Sequence, residues 1–109
     1  MNFDTVCKIG LGLPDVEVTS GSRGSGLTVR GKLLACQAIH KSAEPDSIMA
    51  RISVEQRDEL IEADPDTYYL TDHYQPYPCV LVRLSRIRSD ALKDLLGMAW
   101  KFVTSKKRK

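Results

Sequence analysis

Apolar and polar positions alternate with two distinct periods along this chain. Phe3, Val6, Cys7, Gly10 and Leu11 recur at i, i+3, i+4, i+7 and i+8, which is one face of a helix. Asn2 suits the N-cap, while Gly10, Gly12 and Pro14 weaken and end the helix, so it is predicted over 3–11. The period then falls to two. Val16 and Val18 alternate with Glu17 and Thr19, and Ile48, Ala50 and Ile52 alternate with Met49 and Arg51. Between them Leu27–Val29 and Leu33–Ile39 flank Arg30-Gly31-Lys32, the signal of a tight hairpin. The run from Thr19 to Gly26 reads as a Gly/Ser loop, and His40 to Asp46 as a second loop.

Helical period returns at Ser53-Val54-Glu55-Gln56, a capping box. It opens a helix predicted over 53–64, with Val54, Leu60 and Ile61 as its core residues and Pro65 as its stop. Tyr68–Leu70 is a short strand, 72–78 a loop, and Val80–Leu84 a nearly continuous β-branched strand with a pattern that extends as far as Arg88. Ser89 is placed to cap a last helix over 89–104. Its stripe is Leu92, Leu95, Leu96, Ala99, Phe102 and Val103, with Gly97 on the polar side. Tight hairpins without βαβ spacing imply a mainly antiparallel sheet, hence a two-layer α+β domain with three helices.

Composition adds exclusions. The chain has 109 residues, 42% hydrophobic and 28% charged, which suits one globular domain, expected over 1–104 with a basic tail at 105–109. No apolar run approaches the ~20 residues of a membrane span. The N-terminal run has no basic segment before an apolar stretch, so a signal peptide is not expected. Cys7, Cys36 and Cys79 are odd in number and widely spaced, as befits reduced thiols of a cytoplasmic protein. Paired ligands at short spacing are missing, so neither a metal nor a cofactor is expected.

Charge is unevenly placed. Residues 1–51 carry net +1, residues 52–79 net −6 and residues 80–109 net +7. Such asymmetry bears on partners rather than on fold.

The run DPDTYYLTDHYQPYPCVLVRLSRI, Asp64 to Ile87, resembles the signature block of the MmcQ/YjbR-like family. Gly12–Val18, Thr28–Ala35 and Glu55–Asp66 resemble that family's first turn, hairpin and central helix, in the same order. The resemblance implies a secretion-chaperone-like fold, α-β(3)-α-β(2)-α with one antiparallel sheet. It also implies a DNA-binding role, commonly ascribed to members on their wing-like hairpins, most having no assigned activity. Where relatives tend to carry an aromatic or proline-containing segment, this chain has Ser20–Gly26.

Candidate chemistry is sparse. The Gly/Ser run precedes a strand, whereas phosphate loops precede a helix N-terminus. Cys79 with His73, or Cys36 with His40, would make a thiol–base pair only with a third orienting group, and none is evident. Two readings remain, neither of them enzymatic. In the first, a basic set binds DNA through phosphate contacts without sequence preference: Arg30 and Lys32 at the hairpin, Arg51 and Arg83 on the face opposite the core, Arg86, Lys101 and the tail. In the second, the Tyr-rich stretch 68–78, with Tyr69, His73, Tyr74 and Tyr77, binds a protein or small ligand and no nucleic acid. The resemblance favours the first.

Overall fold

A computed structural model describes residues 1–21 and 24–105. The basic tail beyond Ser105 and residues 22–23 of the Gly/Ser run lie outside the described residues. The order is α1 (Phe3–Gly10), β1 (Val16–Gly21), β2 (Gly24–Val29), β3 (Lys32–Gln37), β4 (Ser47–Arg51), α2 (Val54–Ala63), β5 (Tyr68–Tyr69), β6 (Cys79–Arg83) and α3 (Ser89–Thr104). The strands form one sheet in the order β1-β2-β3-β4-β6-β5, every neighbour antiparallel. Four strands precede α2, not the three that the resemblance implies.

Local chemistry accounts for most boundaries. Asn2 caps α1, its Oδ1 accepting from the Thr5 amide at 3.0 Å. The β2–β3 hairpin turns on Arg30 and Gly31, both at positive φ (52° and 81°), as a two-residue loop matching strand twist requires. One bulge follows: Leu27 faces Ala35 and Thr28 faces Leu33, so Leu34 is the extra residue. It lets consecutive Leu34 and Ala35 both be buried.

Three expectations are corrected. The Gly/Ser run is largely strand, since Thr19–Gly21 pairs with Gly24–Gly26 and the Ser25 amide donates to Gln37 Oε1 at 2.8 Å. Ser89 is the first residue of α3 rather than its cap; Arg88 holds the cap position without a side-chain bond. In α2, Val54 is exposed and Leu60 and Ile61 are half-buried, while the buried residue is Arg57. Half of the capping box forms: Ser53 Oγ accepts from the Gln56 amide at 3.1 Å, and the Gln56 side chain turns to that hydroxyl.

The core lies between the helices and one sheet face. Val6 of α1 and Leu92, Leu95, Leu96, Ala99 and Val103 of α3 meet Leu27, Val29, Ile48, Ala50, Val80 and Val82. The apolar stripe of α3 lies over β2, β3 and β4, while α2 packs on β5 and β6.

Candidate ligand groove

Alternation along β3, β4 and β6 sends Cys36, Met49 and Leu81 away from the helices, as one row across the sheet. Arg51 and Cys79 form the next row. Leu81 is fully buried yet outside the helix-side core, so something covers this outer face. The cover is the segment after β5. Thr71 turns the chain, its carbonyl accepting from the Tyr74 and Gln75 amides at 3.0 and 2.9 Å. Tyr74 comes down over the sheet, where the Cys79 thiol donates to its carbonyl at 3.7 Å.

A second loop, 38–46, meets this cover. The imidazoles of His40 and His73 stack with centroids 3.5 Å apart and planes 6° apart, and Tyr74 sits edge-on to both. His40 Nδ1 accepts from the Ser42 amide at 3.0 Å, which requires an unprotonated Nδ1. Ser42 Oγ bonds Thr71 Oγ1 at 2.9 Å, bridging the two loops. Desolvation, then the charges of His73 and Lys41, hold the His40 pKa below its ordinary 6.5.

The roofed face leaves two hollows separated by Leu33, His73 and Tyr74. The larger, about 780 Å³, includes Cys36, Ile39, His40 and Lys41. The smaller, about 390 Å³, includes Met49, Arg51, Tyr77, Pro78 and Cys79. Among the described residues neither is lined by an Asp or Glu. Their cations are Lys41 and Arg51.

The thiols here are not activated. Burial pushes Cys79 up to about 11, the Cys36 charge adding and Arg57 opposing, and burial also raises Cys36. Neither imagined thiol–histidine pair is a hydrogen bond: His40 is engaged by Ser42, and Cys79 by the Tyr74 carbonyl.

The sequence-selected residues divide. His73, Tyr74 and Tyr77 come together with Arg51 around the groove. Tyr69 does not join them: its hydroxyl accepts from the Glu44 amide at 2.8 Å and bonds Ser47 Oγ at 2.6 Å. The basic set is dispersed. Arg83 is held by both Glu44 carboxylate oxygens at 2.9 and 2.7 Å and by the Pro65 and Asp66 carbonyls. Arg30 pairs with Asp15 at 3.0 Å. Lys101 lines an α2–α3 cleft with Glu55 and Glu59. Lys32 and Arg86 are exposed. Sequence reasoning passed over His40 as a groove residue, along with Leu33, Met49 and Lys41; the alternation of β3 and β4 was the available signal for Leu33 and Met49.

This architecture, an α+β domain with three helices on a six-stranded antiparallel sheet, also occurs in the crystal structure of the Deinococcus radiodurans protein DR2400, described as a DUF419 domain. The likeness has a TM-score of 0.77 at 20% identity, covering 99% of this chain and 82% of that one, and is one of fold. No family model matches the chain. Two relatives are the uncharacterized proteins Mb2600 of Mycobacterium bovis and Rv2570 of Mycobacterium tuberculosis. Each is 34% identical over 112 residues, spanning 90% of this chain and 84% of its own. The chain belongs to the family of these mycobacterial proteins. Among the described residues no helix is long and apolar enough to cross a membrane.

Proposed function

We propose that the chain is an MmcQ/YjbR-like, non-enzymatic binding module of the cytoplasm that holds a small ligand on the outer face of its sheet. The observation that carries this reading is the pair of adjoining hollows over that face, of a size typical of ligand sites, the smaller with an apolar-aromatic lining. Unactivated thiols support a binding role over catalysis. Free cysteines suit a reducing compartment.

Sequence-tolerant DNA binding has less in its favour. Phosphate neutralisation needs several free cations on one surface. Arg83 and Arg30 are engaged by carboxylates, and Lys101 stands in a cleft with carboxylates.

Amide chemical-shift mapping tests the proposal. Titration with 8-anilinonaphthalene-1-sulfonate is expected to shift Leu33, Cys36, His40, His73 and Tyr74. A generic 20-base-pair duplex is expected to leave them in place. Saturable duplex binding centred on Arg30, Lys32, Arg51, Arg86 and Lys101 would overturn the groove in favour of DNA.

A further inference from the structure

We infer that the smaller hollow takes a compact aromatic carboxylate, with the Arg51 guanidinium as its anion partner. This rests on the groove reading above and names the ligand class for it. The hollow is walled by Leu33, Met49, Tyr74, Tyr77 and Pro78, all able to pack an arene. Its volume of about 390 Å³ suits a molecule of one or two fused rings. Among the described residues the one cation in its wall is Arg51, on β4 opposite Cys79.

Three observations leave Arg51 available. Among the described residues it makes no ion pair, unlike Arg30, Arg57, Arg83 and Arg88. Its guanidinium carbon also lies 5.8 Å from the centroid of the Phe102 ring on α3, a contact that uses no donor. It is half-buried, so a carboxylate there would be partly shielded from water. A guanidinium fork matches two carboxylate oxygens, and charge-assisted bonds of this type are about twice as strong as neutral ones. Among the described residues the wall holds no Asp or Glu to repel an anion, which reinforces the charge selection. Glu44, on the loop that meets the roof, is held by Arg83.

Two isosteric probes test the inference. 2-Naphthoate and 2-naphthamide share shape and ring system and differ in charge. Amide-shift titrations at pH 7.5 are expected to place both in the smaller hollow, with the carboxylate binding about tenfold more tightly, a difference of about 1.4 kcal/mol. Arg51→Gln should remove that preference, so that the two probes bind with equal affinity. Arg51→Lys should restore part of it, because the charge returns without the fork. Added salt should shrink the preference in the unaltered protein, giving a readout independent of any variant. Equal affinity of the two probes at the smaller hollow would overturn the anion inference and leave the groove reading standing. Shifts confined to another surface, or no saturable shift with either probe, would remove both.

Discussion

The Arg83 guanidinium lies over the ring of Tyr69, 4.2 Å from its centroid, while the hydroxyl of that ring is enclosed by Glu44 and Ser47. The pair ties three segments that are distant in sequence. Arg83 ends β6, Tyr69 ends β5, and Glu44 belongs to the loop that carries His40. Arg83 holds the Glu44 carboxylate and Tyr69 takes the Glu44 amide, so the loop is fixed by both ends of one residue. The arginine and tyrosine that the sequence offered to two different ligands therefore serve together as the support of the groove's roof.

Removing the Tyr69 hydroxyl tests this support. Tyr69→Phe keeps the stack under Arg83 but strands the Glu44 amide and the part-buried Ser47 hydroxyl. A loss of about 1 kcal/mol is expected by urea denaturation, with faster hydrogen exchange at the Glu44 amide. Unchanged exchange there would show that the loop is held elsewhere.

Acid should loosen the same roof in two stages. His40 has a folded pKa below its ordinary 6.5, so the native state binds fewer protons than the unfolded one in that window. Stability from the neutral imidazole is present above 6.5 and is lost as pH falls below it. Glu44 has its pKa lowered by the Arg83 hydrogen bond, with Arg83's charge adding; its contribution is present above the ordinary 4.5 and is lost as pH falls further. Denaturation midpoints measured from pH 8 to pH 4 should show the first decline in the parent and not in His40→Gln. Parallel curves for the two proteins would contradict the assignment of the first stage to His40.

What could be read from the sequence was what local geometry decides. Arg30-Gly31 announced its turn because the hairpin needs two positive φ angles there. The α3 stripe was plain because five of its residues meet a single sheet face. The Gly/Ser run misled because strand pairing there depends on backbone bonds and on the Gln37 side chain, not on β-propensity. The core of α2 was misplaced because the charge of Arg57 disguises a position that faces inward, while Val54 fits the apolar pattern and is exposed. The groove was half legible. Clustered tyrosines and His73 marked the roof, but nothing local joins His73 to His40, thirty-three positions earlier; that contact exists because two loops cross over one sheet face.

The two sides of α3 should respond oppositely to small residues. Leu96 is fully buried, so Leu96→Ala is expected to cost roughly 2–5 kcal/mol through lost burial and a residual cavity. Lys93 is exposed, and Lys93→Ala should stay within about 0.5 kcal/mol of the parent. Gly97 has open space where a Cβ would stand, so Gly97→Ala should stabilise by about 0.8–1 kcal/mol from helix propensity alone. Thermal melts of the three variants decide; a destabilised Gly97→Ala would mean that the α2–α3 cleft closes on that position in solution.

Arg57 sets two effects against each other. Its stem is buried in the α2 face, and stems of this kind contribute packing independently of their charge. Its guanidinium is poorly repaid: Nε bonds Asp58 at 3.0 Å, on an exposed carboxylate, and Nη1 reaches the Gln75 carbonyl at a long 3.4 Å. A buried charge with weak partners is often replaced by an apolar side chain of similar length without loss. Arg57→Met is therefore expected to match or exceed the parent in stability, whereas Arg57→Ala should lose about 1–3 kcal/mol because the packing goes as well. If Arg57→Met is destabilised as much as Arg57→Ala, the guanidinium itself is what holds α2 to the roof at Gln75. Accelerated exchange of the Gln75 and Tyr77 amides in both variants would accompany that result, since those amides close the turns of the roof onto Thr71 and Tyr74.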